Sequence, residues 1–189
     1  ISDVSGLGGF ALLGSGMLRD FAVVATAMGS SLNEMKKTGW IGAISLLVGV
    51  FISFFPAVII AFVFGYRDAV SLTTIGAGAC TFIVGPVTGA AIGADSSVIA
   101  ISIAAGVFKS VFVTIFTAPL AKFIGLNSPQ AAMAYGGLMG TTSGVTAGLA
   151  ATDPKLVPYG AMTSTFATGV GCLLCPSICF FMVKIILGQ

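Results

Sequence analysis

"YGGLMGTTSGVTAGLAATD", Tyr135 to Asp153, is apolar enough for a membrane helix, yet it places Gly136, Gly140, Gly144 and Gly148 at every fourth position and runs into an acid. Residues four apart share one ridge of a helix, so the glycines let a neighbouring backbone come close. Packing accounts for the ridge. It does not account for Thr141, Thr142, Ser143 and Thr146 beside it, nor for Asp153. Glycine-rich membrane helices can also unwind and turn carbonyls toward a cation, while half-helix N-termini face anions. Both readings stand on the sequence.

The whole chain shares this character. It has 189 residues, 57% hydrophobic and 7% charged, with a mean hydropathy of +1.10. A soluble domain carries about 25% charged residues, so the bilayer is the expected solvent. Net charge is +2 with no histidine. No basic tract points to nucleic acid, and no imidazole is present for acid–base work or zinc. Cys80, Cys172, Cys175 and Cys179 lie in apolar runs and read as small buried hydrophobes. No nucleophile elbow, phosphate loop or metalloprotease motif occurs, so no enzyme activity and no cofactor are expected.

Spans of about 20 apolar residues divide the chain into six segments: about 4–29, interrupted by Arg19 and Asp20, then 40–64, 71–94, 98–121, 131–151 and 159–183. The expected class is all-α integral membrane, one transporter domain over 1–189, with discontinuous or re-entrant glycine-rich helices. If every segment spans, Lys36, Lys37 and Lys155 fall on one side and Arg67, Lys122 and Lys184 on the other. That balance gives no orientation.

The fifth segment echoes the third. "GPVTGAAIG" (Gly85–Gly93) aligns with "GTTSGVTAG" (Gly140–Gly148), Thr88 falls opposite Ser143, and an acid follows each, Asp95 and Asp153. The glycines match at an offset of 55. Duplicated halves of about 71–124 and 129–187 are therefore expected, with a substrate site between them. The first segment, "GLGGFALLGSGMLRD", is a weaker echo.

Intramembrane charge marks the candidates. Lys109 sits inside the fourth segment, to be neutralised by Asp95, by Asp153 or by a dianionic ligand. Each acid reads equally as an ion contact or as a helix cap, since "ADSS" and "TDPK" both resemble helix starts.

"GGFALLGSGMLRDFAVVATAMG", "GADSSVIAISIAAGVFKS" and "YGGLMGTTSGVTAGLAATDPKLVPYGAMTSTF" resemble the larger subunit, MadM, of the bacterial two-component malonate:sodium symporter, over essentially the whole chain. The resemblance implies Na+-coupled malonate uptake across the bacterial inner membrane with a small hydrophobic MadL-type partner. It also implies further chain before Ile1, and assembly into an oligomer is expected. It brings no established ligand residues. The chemistry of a small dianion selects Lys109, Arg19, Thr88, Thr141, Thr142 and Ser143 as expected substrate contacts. The oxygen preference of Na+ selects Asp95, Asp153, Thr146 and the backbone at Gly89 and Gly144. The other readings are a carrier of another anion coupled to H+, and a scaffold subunit whose glycine ridges only pack.

Overall fold

The computed structural model describes residues 32–189, with side chains from Trp40 and Ala43 onward. The segment at 4–29, with Arg19 and Asp20, lies outside the described residues. Every described element is helical: α1 (Leu32–Val63), α2 (Ala69–Cys80), α3 (Val84–Ile92), α4 (Ser96–Leu120), α5 (Pro129–Met139), α6 (Thr142–Ala150), α7 (Val157–Leu174) and α8 (Phe180–Leu187). A 3-10 turn, Pro154–Leu156, leads into α7, and a π turn, Cys175–Cys179, joins α7 to α8.

Three rods are long and apolar enough to cross a membrane: Ala43–Val63, Ser96–Leu120 and Pro154–Leu187. Their outer faces carry the side chains that suit lipid, among them Ile52, Val63, Phe108 and Ile185. The third and fifth segments of the sequence hold no described helix of that length. Each is cut into two short helices, of 12 and 9 residues and of 11 and 9. At 1.5 Å per residue the longest of these reaches about 18 Å, short of a hydrocarbon core of about 30 Å.

Contacts fix their directions. A Cβ added at Gly85 would stand 2.8 Å from Gly78 Cα, and one at Gly89 would stand 2.8 Å from Thr74 Cγ2. The arms α2 and α3 are thus antiparallel and form a hairpin. Both ends of this hairpin lie at the Arg67 end of the molecule, where Gln189 accepts from the Ala69 N–H at 3.1 Å and donates to the Arg67 carbonyl at 3.2 Å.

The second pair enters from the opposite end. Gly144 of α6 lies against Ser110 and Val113, and Gly148 against Thr117, so α6 runs beside α4 in the same direction, toward Leu120. The start of α5 lies at that end too: Gly160, in the first turn of α7, packs between Ala132 of α5 and Val145 and Leu149 of α6. The second hairpin is therefore splayed, with α7 between its arms, whereas the first is closed along its own glycines.

The glycine ridge of the opening stretch is divided by this turn. Gly140 takes φ +68°, the left-handed region open to glycine, and ends α5. Beyond it the ridge changes partners: Gly136 faces Gly160 and Thr163, while Gly144 and Gly148 face α4. A helix winding straight through would have presented all four to one neighbour.

The hairpins also set the placement of charge among the described residues. The loops at the Leu120 end and the start of α1 hold Lys36, Lys37, Lys122 and Lys155; the opposite end holds Arg67 and Lys184.

The helix order repeats: short, short, long, then short, short, long. α3 and α6 begin and end 58 positions apart, at Val84 and Thr142 and at Ile92 and Ala150. The glycine offset of 55 instead sets Gly85, inside α3, against Gly140, outside α6. Glycine content and helix position thus follow different registers.

Candidate functional site

Both hairpin tips reach the middle of α4. Lys109 is the fourteenth of its 25 residues, about 20 Å from its start at 1.5 Å per residue. Its ammonium donates to Ser53 Oγ of α1 at 2.7 Å and to the Cys80 carbonyl, the last residue of α2, at 3.2 Å. The neighbouring Ser110 hydroxyl is hydrogen-bonded to Thr141, at the tip of the second hairpin. A Cβ on Gly140 would stand 3.4 Å from the Cys80 carbonyl oxygen. The two tips therefore touch, and consecutive residues of α4 hold one each.

Glycine makes this approach feasible. A side chain at Gly106 would collide with the Phe82 backbone at the first tip, and one at Gly78 with the Ser102 backbone. Gly49 and Gly137 likewise bring α1 onto α5.

Four helix ends converge here. α2 and α5 bring carbonyl ends and α3 and α6 bring N–H ends, so partial charges of both signs meet in a low-dielectric region. α2 and α5 have side-chain caps at their outer starts, from Asp68 to the Ser71 N–H at 2.7 Å and from Ser128 to the Ala131 N–H at 3.2 Å. The inner starts of α3 and α6 have none. Thr141, in the capping position, is committed to Ser110 instead.

The acids stand elsewhere. Asp95 is exposed at the start of α4, fourteen residues before Lys109 and about 21 Å away along the axis. Asp153 accepts from the Lys155 N–H at 3.0 Å and caps the 3-10 turn at the opposite end. Neither reaches Lys109. The interior is polar through hydroxyls: every buried polar side chain among the described residues is Ser or Thr. Among those residues no group of three or more His, Cys, Asp or Glu is placed to hold a metal ion.

Of the expected contacts, Lys109 and Thr141 come together, with Thr142 the first residue of α6 beside them. Ser143 is exposed on α6. Thr146 turns its hydroxyl onto the Thr142 carbonyl at 2.5 Å. Gly144 is closed off by Ser110 and Val113, and Gly89 by Ile99 and Thr74. Thr88 is buried at the middle of α3. Gly85, one turn nearer the tip, is level with Ser102, so Thr88 lies at least about 10 Å from Lys109.

Ser53, Cys80 and Ser110 escaped the sequence reading. Ser110 adjoins Lys109, and a hydroxyl beside an intramembrane lysine was its available signal. The Cys80 carbonyl had none, because backbone acceptors carry no residue type. A groove of about 550 Å³ opens beside Lys109, lined by Ser53 and by apolar residues that include Ile75, Leu138 and Met139. The site thus combines a fixed cation, four helix ends and neutral oxygens beside a cavity. That set can hold a small anion together with a cation that prefers oxygen.

The model of the family described as malonate/sodium symporter MadM subunit matches residues 1–187. No curated protein and no solved structure matches the chain.

Proposed function

This chain belongs to the malonate/sodium symporter MadM subunit family, and from that premise we propose that it is the larger subunit of a two-component carrier that moves malonate, or a similar small dicarboxylate, together with Na+. The observation that carries the reading is the meeting of both hairpin tips at Lys109 and Ser110. A dianion at this junction has the Lys109 ammonium and the inner starts of α3 and α6 to receive its carboxylates. Thr141 and Thr142 add hydroxyls from the second tip. The carbonyl ends of α2 and α5 suit a cation.

Coupling follows from charge attraction inside one bundle. Opposite unit charges about 10 Å apart attract by about 1.7 kcal/mol at an effective dielectric of 20. Each ligand therefore raises the affinity of the other, reciprocally. The placement of Asp95 and Asp153 favours hydroxyls and carbonyls over carboxylates as Na+ ligands.

We read 71–124 and 129–187 as halves of an inverted duplication. Their support is the repeated helix order and the entry of the hairpins from opposite ends. The carrier would reside in a bacterial inner membrane beside a small hydrophobic MadL-type partner, as an oligomer. With the Lys122 and Lys155 end richer in cations, that end is cytoplasmic on the positive-inside rule.

Uptake of labelled malonate into proteoliposomes tests this reading. Vesicles with both subunits should take up malonate when Na+ is supplied outside. No stimulation by Na+, or equal uptake driven by a pH gradient alone, would overturn the Na+ coupling. Uptake by the small partner alone would move transport off this chain and leave it a scaffold.

A further inference from the structure

Threonines in these helices mostly donate to the carbonyl four residues back, as Thr74 does to Val70, Thr114 to Ser110 and Thr117 to Val113. Thr73 and Thr88 depart from that pattern. Both are 0% exposed, and neither Oγ1 has a partner. A hydroxyl in a membrane interior has every reason to turn onto its own helix. Two that do not, in adjoining arms of one hairpin, imply a ligand.

The hairpin turns both hydroxyls to one side. Thr74 meets Gly89 across the arms. The residue before each contact lies about 100° round its helix. Because the arms are antiparallel, those rotations carry Thr73 and Thr88 to the same face. That face meets the last rod. A Cβ on Gly171 would stand 3.0 Å from Val84 Cγ2, and Thr88 lies one turn beyond Val84. Cys80, Val84, Cys175 and Cys179 share one buried cluster with Ala77 and Leu72 of α2.

A π turn lies in that cluster. At Cys175–Cys179 the Phe180 N–H reaches back to the Cys175 carbonyl, and Pro176 supplies no N–H to the ladder. Such widened turns recur at functional sites. The cluster is apolar apart from its thiols and holds no carboxylate, so the two unpartnered hydroxyls are its neutral oxygen donors, which suits a monovalent rather than a divalent cation.

We propose that Thr73 Oγ1 and Thr88 Oγ1 are ligands of a Na+ ion held between the first hairpin and the Cys175–Cys179 turn. This rests on the Na+-coupled reading for its ligand, and it separates the ion from the substrate at the hairpin tips. Thr88 then serves the ion, and malonate does not touch it.

The test needs no transport. The purified two-subunit complex is melted without malonate in NaCl, KCl or choline chloride at equal ionic strength. Na+ alone should raise the midpoint. Thr73→Val and Thr88→Val should each raise the Na+ concentration for half-maximal shift at least about tenfold, while Thr73→Ser and Thr88→Ser keep the wild-type value. Should a valine variant fail to fold, the alanine variant at that position carries the same expectation. Unchanged Na+ response in the oxygen-free variants, or a wild-type complex indifferent to Na+, overturns the assignment. Malonate uptake, measured separately, distinguishes the failures. Absent uptake with the Na+ shift intact sinks only the transport reading. Normal uptake and an unaltered Na+ dependence in Thr88→Val sink only this site.

Discussion

Replacing Lys109 with methionine keeps the length of the side chain and removes its charge. Two effects on stability then oppose each other. The Cys80 carbonyl and Ser53 hydroxyl lose their donor, a loss of about 1–3 kcal/mol for a buried acceptor. Against that, an ammonium no longer needs to be held out of water, and removing such charge is often neutral or stabilising. The folded complex should therefore change by no more than about 2 kcal/mol. The effect on substrate has no such offset. A carboxylate about 4 Å from the ammonium loses about 4 kcal/mol at an effective dielectric of 20, and desolvation of the ligand returns part of it. A weakening of malonate binding by about a hundredfold or more is expected. The assay is the malonate-dependent shift in melting temperature, followed by KM for uptake in proteoliposomes. Lys109→Met should lose the malonate shift and keep the Na+ shift. Lys109→Arg retains the charge, but its planar fork does not reproduce a single ammonium between two acceptors, so intermediate affinity is expected. If Lys109→Met binds malonate within about threefold of wild type, Lys109 only caps α2 and the substrate reasoning fails.

Two glycines separate strain from collision. Gly93 has φ +79° with nothing near a new Cβ, whereas a Cβ at Gly106 meets the Phe82 backbone. Gly93→Ala should cost about 1–2 kcal/mol, and Gly106→Ala more, with loss of the assembled site, as read by melting temperature and uptake together. Equal costs would remove the close approach of α4 to the first tip. At the second tip, Thr141→Val strips the hydroxyl bonded to Ser110. It should destabilise the complex by about 1–3 kcal/mol and lower uptake, and Thr141→Ser should restore both; a silent valine variant would detach that bond from function.

The long apolar rods were legible from composition, because lipid exposure leaves a dense apolar signal over 98–121 and 159–183. The breaks were legible too. Gly140 among hydroxyls announced a place where the helix need not continue, and the chain does turn there. Direction was not legible. An apolar stretch of 24 residues from Ser71 to Ala94 has the same hydropathy whether it crosses or folds back at Thr81. Only the pairing of Gly78 with Gly85 decides between them. The distance of the acids from Lys109 was hidden for a related reason. Asp95 and Asp153 follow glycine runs in sequence, but the hairpins return to the surfaces before reaching them. Lys109 is visible in the sequence as a charge within an apolar run and does lie inside the rod Ser96–Leu120, while its partners, a carbonyl and a distant serine, depend on which tip it meets.

Two hairpins that enter from opposite ends of the bundle meet at Lys109. Single cysteines at Arg67, Asp95, Lys122 and Lys155, in a background with the four native cysteines replaced, can be labelled in oriented vesicles with a membrane-impermeant maleimide. Arg67→Cys and Asp95→Cys should react from one side only, and Lys122→Cys and Lys155→Cys only from the other, the cytoplasmic one. Labelling of Arg67→Cys and Asp95→Cys from opposite sides would mean that the intervening segment crosses the membrane, and the junction at Lys109 would not exist.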